Sequence, residues 1–170
     1  EEAIAQACVK HLILRTSWVV GAHGHNFLKT MLRLAAERDS LRVVADQIGA
    51  PTSTALLSEV TMVLIEAMNN ADASDPRWGT YHVAAAGETS WHGYAQYVIA
   101  GAVARGAVLK VTPSRVQPIA TTEYPLPAPR PSNSRLDTQK IQRTWPSVML
   151  PAWQAGVDAI LDQLFEKKSP

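Results

Sequence analysis

The sequence has a single cysteine, almost no net charge and no long hydrophobic run. Cys8 cannot form an internal disulfide, which favours a reducing compartment, and we expect it to be a small buried or half-buried side chain. Sixteen Lys and Arg residues stand against fifteen Asp and Glu residues, a net charge of +1, so duplex nucleic acid and anionic membranes are not expected partners. Because no run of about eighteen apolar residues occurs and the first two residues are acidic, we predict a cytoplasmic protein without a membrane helix or signal peptide.

Several catalytic motifs are absent as well. The chain contains neither the G-x-G-x-x-G cradle for dinucleotides nor the G-x-S-x-G turn of serine hydrolases. Gly101 and Gly106 have the spacing of a phosphate-binding P-loop, but Ala and Val follow where Lys and Ser or Thr are needed. No tyrosine is followed four residues later by lysine, the pair with which keto-reductases protonate a carbonyl oxygen. From these absences, the sequence is predicted to contain no catalytic acid, base or nucleophile.

Metal binding is not expected either. His23 and His25 form the only closely spaced histidine pair in the sequence, and neither has a cysteine or acidic neighbour at the spacing that zinc sites use. We interpret both as polar loop residues.

The residues that are present predict an α/β layout. Apolar strands are indicated at residues 11–15, 41–45 and 80–84, and a helical pattern follows each of them. These three helices begin near Asn26, near residue 54, and at Thr89 or Ser90, the last running to about Arg105. Another helix is predicted for residues 1–10. Strand followed by helix, three times over, is typical of sheets with crossover helices.

The last third of the chain begins with a proline-rich stretch. Six of the eleven prolines fall between Pro113 and Pro131, so this stretch is predicted to be an ordered, extended loop, neither a helix nor a central strand. Asp137 is predicted to cap a short helix that runs through about Trp145. A last helix is predicted with Pro151 in its first turn and an apolar stripe facing the core.

Two polar or aromatic residues follow the first predicted strand. Trp18 lies just past its carboxyl end, where open α/β sheets bind ligands, so the indole either stacks on a base or sugar or packs in the core. Asn26 begins the next helix and either caps it or presents its amide to a diphosphate.

Three further residues suit a nucleotide ligand. Gln47 belongs to a tight turn around Gly49 and either contacts a ligand or holds the turn. Arg130 and Asn133 emerge from the proline-rich stretch, which stiffens them, and a guanidinium group suits bidentate capture of phosphate oxygens. The alternative for this pair is a surface ion pair.

Taken together, five segments resemble the C-terminal part of the dTDP-4-dehydrorhamnose reductase family of extended short-chain dehydrogenases/reductases. They are RTSWVVGAHGHNFLKTMLRLA (15–35), VVADQIGAPT (43–52), GTYHVAAAGETSWHGYA (79–95), TTEYPLPAPRPSNSRLDTQK (121–140) and LPAWQAGV (150–157). The resemblance implies a Rossmann-like α/β fold whose N-terminal cofactor half is missing. It makes residues 1–170 a substrate-binding portion, in which about 1–22 and 78–106 would complete the cofactor domain.

The resemblance also implies an activity for a complete protein, the reduction of the 4-keto group of dTDP-4-dehydro-L-rhamnose by NADPH or NADH to give dTDP-L-rhamnose. In such a protein Trp18 contacts the substrate and Ser17 lies near the nicotinamide. Asn26, Gln47, Arg130 and Asn133 would line the nucleotide diphosphate site.

The same resemblance places the glycine-rich cofactor loop, the catalytic Thr or Ser and the Tyr and Lys pair upstream. The chain alone is therefore expected to be inactive and to hold no cofactor tightly. Its expected partners are a dTDP-sugar, the N-terminal half and, through uncovered sheet edges, other copies of itself. Two alternatives are a non-catalytic reductase-like subunit, such as the one that associates with methionine adenosyltransferase, and another nucleotide-sugar epimerase or dehydratase. Trp18 disfavours the epimerase or dehydratase, because those enzymes more often have Asn there.

Overall fold

The computed structural model describes residues 1–124, 128 and 130–166, and within them it contains six α-helices and eight short strands. In chain order these are α1 Glu2–Ala7, β1 Leu12–Arg15, β2 Val19–Val20, α2 Phe27–Glu37, β3 Leu41–Val44, β4 Ile48–Gly49, β5 Thr52–Ser53, α3 Thr54–Met68, β6 Gly79–His82, β7 Thr89–Ser90, α4 Trp91–Ala104, β8 Val116–Ile119, α5 Gln139–Thr144 and α6 Trp153–Phe165. The longest helix, α3, has 15 residues, and none in the described part is both long and apolar enough to cross a bilayer.

The described strands form four two-stranded sheets. β1 pairs with β6, β2 with β5 and β3 with β8, all in parallel, whereas β4 and β7 are antiparallel. Parallel neighbours need a crossover connection, and α2 and α3 lie within these connections. The predicted α/β class is confirmed.

Side-chain caps explain where three helices begin. The Asn26 side chain accepts a hydrogen bond from the backbone of α2, the Ser53 hydroxyl accepts one from α3, and the Ser90 hydroxyl accepts one from α4. Each satisfies an amide that the first helical turn leaves free. Of the two caps considered for α4, Ser90 is the one used. Gly106, at φ +87°, follows the end of that helix in the left-handed conformation that favours glycine.

Helix α4 lies at the centre of the core. It packs on α2, on α6 and on strands β3 and β8. Its buried side chains are Tyr94, Ala95, Val98, Ile99 and Ala102. α6 turns Trp153, Val157, Ile160 and Leu161 inward at helical spacing, which confirms the predicted apolar stripe.

The proline-rich stretch contains a strand that the sequence did not predict. Val116–Ile119 pairs with Leu41–Val44, and Pro118 stands opposite Val43. Proline has no N–H group for a ladder, so it is tolerated on an edge strand, and in the described sheet β8 has only β3 beside it. The prediction of a continuous extended loop was therefore wrong at these residues. Residues 125–127 and 129 of the stretch lie outside the described part.

Three details near helix ends also differ from the predictions. Cys8 is exposed, because α1 ends at Ala7 and buries none of its residues. Asp137 accepts a hydrogen bond from the backbone of Gln139, but Thr138 holds the N-cap position of α5. Pro151 precedes the last helix, and its carbonyl group accepts a hydrogen bond from the backbone of Ala86.

Candidate functional site

One cleft in the described residues has a volume of about 860 Å³, a size typical of small-molecule sites. Its wall contains side chains from α2, β3, the β3–β4 turn, the first turn of α4 and the stretch before α5. The lining residues include Trp18, Phe27, Arg38, Arg42, Gln47, Trp91, Thr121, Tyr124 and Arg130. Three of the five predicted substrate residues, Trp18, Gln47 and Arg130, therefore share one cleft.

Trp18 is held against a second indole. Its ring stacks on Trp91 with centroids 3.6 Å apart and planes 15° apart. Gly49 contacts the Trp18 ring as well, since a Cβ added there would lie 2.5–2.9 Å from three of its ring atoms. The Trp91 ring and the Gly49 backbone are both too close to the Trp18 ring to lie on the same face of it, so the Trp18 indole lies between them. Packing is thus the role that the contacts show for Trp18, and the ring edge is left for a ligand.

The backbone of Trp18 is unusual. Its φ is +48°, and within the described residues no other non-glycine residue has a positive φ. Bulky L side chains rarely adopt this left-handed conformation, and such outliers concentrate at functional sites. The conformation sets the indole at the carboxyl end of β1, beside the cleft.

A chain of hydrogen bonds fixes Gln47 in the same wall. The Trp91 indole N–H donates to Gln47 Oε1 at 3.2 Å, and Gln47 Nε2 donates to Thr121 Oγ1 at 3.1 Å. The Thr121 hydroxyl in turn donates to Asp46 Oδ1 at 2.6 Å, and the Thr121 backbone amide donates to the same carboxylate. These bonds, the side-chain bond first, lower the pKa of Asp46 below its ordinary value of 3.8 and keep it an acceptor.

Guanidinium groups also line the cleft. Arg130, Arg38 and Arg42 all contribute to the wall. Arg42 forms an ion pair of 2.7 Å with Glu123, so its charge is partly balanced. A lining with both guanidinium groups and two indoles suits a ligand with an anionic part and an uncharged ring.

Ser17 and Asn133 lie outside this lining. Ser17 borders a smaller pocket of about 150 Å³ and donates its hydroxyl proton to the Ser134 carbonyl group at 3.1 Å. Asn133 Oδ1 accepts hydrogen bonds from the backbone and Nε of Arg135, which itself borders the smaller pocket and pairs with Glu88. The side-chain amide oxygen of Asn133 therefore orients Arg135. Ser134 lines both pockets, so the two are adjacent.

Asn26 uses both ends of its amide within the protein. Oδ1 accepts from the Lys29 backbone at 3.0 Å, and Nδ2 donates to the Gly21 carbonyl group at 2.7 Å. Of the two roles considered for this residue, helix capping is the one that the contacts show. Contact with a diphosphate stays a prediction.

The tyrosines whose pKa values are shifted do not suit acid–base work. Burial raises the pKa of Tyr94, and burial together with the hydrogen bond to Asp158 raises the pKa of Tyr97 to about 12. A catalytic tyrosine needs the opposite shift. Nor do three metal-ligating side chains cluster anywhere in the described ranges.

Sequence reasoning missed Trp91 and Thr121 as residues of the site. Both appeared only inside longer family segments, Trp91 in residues 79–95 and Thr121 in residues 121–140. No local signal distinguishes them, because their roles depend on contacts with Trp18 and Gln47, many residues away.

The chain is similar to several known proteins. The sequence profile of the family described as RmlD substrate binding domain matches residues 1–166. The dTDP-4-dehydrorhamnose reductase of Escherichia coli (strain K12) is 46% identical over 97% of this chain and 53% of that protein. The protein of the same name from Burkholderia thailandensis is 39% identical over 98% of this chain and 56% of that protein. The chain spans about half the length of the curated relatives it matches.

Solved structures show the same relationship. A dTDP-4-dehydrorhamnose reductase from Clostridium acetobutylicum superposes with a TM-score of 0.81 at 32% identity, covering 96% of this chain and 52% of that one. The reductase from Bacillus anthracis, solved in complex with NADP, gives 0.75 at 34% identity, covering 89% and 48%. UDP-galactose 4-epimerase, at 12% identity and a TM-score of 0.64 over 93% of this chain and 46% of that one, shares the fold alone. The extended, Rossmann-like reductase fold is confirmed.

Proposed function

Because this chain belongs to the RmlD substrate-binding domain family, we propose that it forms the nucleotide-sugar-binding part of a dTDP-4-dehydrorhamnose reductase. The whole protein would reduce the 4-keto group of dTDP-4-dehydro-L-rhamnose with NADPH or NADH. The observation that carries the proposal is the 860 Å³ cleft, which unites Trp18, Gln47 and Arg130.

Each part of the cleft has a proposed role. Arg130 binds the diphosphate, because a guanidinium group matches phosphate oxygens with two parallel hydrogen bonds. The edge of the Trp18 indole borders the sugar, and Gln47 sets the depth of the cleft beneath it. Asn26 supports this wall through α2, whereas Asn133 orients Arg135 at the smaller pocket, and we propose that their contacts with the ligand are indirect.

The smaller pocket is a candidate for the reacting end of the cofactor. Its volume of about 150 Å³ accommodates one ring rather than a dinucleotide, and it adjoins the sugar-binding cleft at Ser134. Ser17 and Arg135 would hold a bound nicotinamide there, and when bound that group supplies hydride to the keto carbon. This chain's residues bind and orient the substrate. We assign the proton donor and the dinucleotide cradle to the rest of the reductase, because no Tyr-x-x-x-Lys or G-x-G-x-x-G motif occurs here.

Calorimetric titration of the chain with dTDP-L-rhamnose tests the proposal. The wild type is expected to bind, and Arg130→Ala is expected to raise Kd about tenfold, because a charge-assisted hydrogen bond to phosphate is lost. The matched control is Arg115→Ala, which removes an exposed guanidinium group that is absent from the cleft lining, and its Kd should stay within about twofold. No heat of binding for the wild type at millimolar ligand would overturn the proposal. Equal Kd values for the two variants would remove only Arg130 from the phosphate site.

The domain assignment is a further part of the proposal. Residues of about 1–22 and 78–106 would complete the cofactor domain, and within them β1 and β6 pair in parallel over four residues. Parallel sheets are normally covered on both faces, yet six of the eight residues of this pair are only partly buried and Arg15 is exposed. We propose that additional strands and helices cover the pair in the whole reductase.

Self-association is the expected result when nothing else covers this sheet. Unpaired strand edges offer free N–H and C=O groups to a second copy. Light scattering should therefore show a mass that rises with chain concentration, and the dye ANS should fluoresce on binding. A constant monomer mass with flat ANS fluorescence would contradict this expectation.

A further inference from the structure

Trp91 contacts two residues of the cleft wall in two different ways. Its ring stacks on Trp18 at 3.6 Å, and its indole N–H donates to Gln47 at 3.2 Å. These two partners come from separate segments, the end of β1 and the β3–β4 turn. One side chain at the start of α4 therefore touches both.

The contact with Gln47 decides which way its amide points. An indole N–H is only a donor, so it pairs with the carbonyl oxygen of Gln47 and not with the amide nitrogen. The nitrogen then faces Thr121 Oγ1, where it donates. Thr121 supports the same orientation, because its hydroxyl proton is already donated to Asp46 Oδ1 and its oxygen can only accept from Gln47.

The contact with Trp18 supports a disfavoured backbone. A tryptophan at φ +48° persists only when its surroundings hold the side chain in place. Trp91 covers one face of that indole, and Gly49 contacts the other. Phe27, with its ring centroid 4.6 Å from that of Trp91, braces the second indole in turn.

We propose that Trp91 is a positioning residue for nucleotide-sugar binding, which fixes the Trp18 indole by stacking and the Gln47 amide by its N–H group. The inference rests on the proposed function of the cleft. Trp91 acts through these two neighbours, so its removal lowers affinity by releasing them.

The test is a set of dTDP-L-rhamnose titrations with matched tryptophan variants. Trp91→Phe keeps an aromatic ring but removes the N–H group, and its Kd should rise about three- to tenfold. Trp78→Phe is the control, because that indole N–H donates to the Asp72 carbonyl group at 2.8 Å, outside the cleft lining. Its Kd should change less than twofold. Loss of the exciton couplet of stacked indoles in circular dichroism should accompany Trp91→Phe only.

A double-mutant cycle separates positioning from general destabilisation. If the N–H group of Trp91 acts through Gln47, then Trp91→Phe combined with Gln47→Ala should bind within twofold of Gln47→Ala alone. Additive losses would overturn the role of the N–H group at Gln47, and a Trp91→Phe Kd equal to that of the wild type would overturn the positioning role as a whole, while both leave the binding function standing. A wild-type chain that binds no dTDP-L-rhamnose would instead overturn the proposed function, and this inference with it.

Discussion

Gly49→Ala is expected to lower the free energy of unfolding by about 2–3 kcal/mol and to weaken dTDP-L-rhamnose binding more than tenfold, because overpacking of a filled site forces side chains to move. The added Cβ would lie 2.5 Å from Cε2 of Trp18. That ring cannot shift away, since Trp91 stacks on it at 3.6 Å. To relieve this clash, the Trp18 indole must move out of the cleft wall.

Urea denaturation and calorimetry measure the two effects. Gly21→Ala is the matched control for binding, because its added Cβ would crowd Thr54, with Oγ1 at 2.8 Å and Cγ2 at 3.2 Å, and neither residue lines the cleft. We expect that variant to lose stability while its Kd stays within about twofold of the wild-type value. If Gly49→Ala bound as tightly as Gly21→Ala, Trp18 would not be confined as described.

Local chemistry explains why most of the elements were predictable. Asn26 and Ser90 cap helices through atoms within three residues, and the apolar stripe of α6 repeats at helical spacing, so short windows of sequence contain the information. Strand β8 was not predictable in this way. Its pairing partner, β3, lies about 75 residues earlier, and tertiary pairing outweighed the low strand preference of Pro118.

The candidate site shows the same difference between what short stretches of sequence predict and what tertiary contacts determine. Trp18, Gln47 and Arg130 were identified from residue type and position and then from resemblance to a family, and the cleft brings these three together. Resemblance does not report orientation. That the faces of Trp18 are covered, and that Asn133 points its oxygen at Arg135, depends on packing across several segments. Sequence reasoning therefore named residues of the wall but not the contacts that arrange them.

Trp153→Ala is the second substitution with a large expected effect, a loss of about 3–5 kcal/mol in the free energy of unfolding, as is typical when a buried aromatic ring is removed. The side chain is 5% exposed. Its ring meets Tyr94 and Tyr97 of α4 edge-on, with centroids 5.8 and 4.9 Å away. Its backbone amide donates to the Ala86 carbonyl group at 3.0 Å, so it joins α6 both to α4 and to the segment after β6.

The cavity left by Trp153→Ala would lie under the helix that begins with Trp91, so we expect weaker ligand binding in addition to lower stability. Urea denaturation, monitored by circular dichroism, measures the free energy of unfolding. Trp153→Phe, which retains an aromatic ring, should lose clearly less, and Met149→Ala, at a side chain that is 78% exposed, should stay within about 0.5 kcal/mol of the wild type. A loss below about 1 kcal/mol for Trp153→Ala would mean that α4 and α6 are held together by other contacts. Since α4 begins with Trp91 of the cleft lining, that outcome would also separate the stability of the core from the geometry of the site.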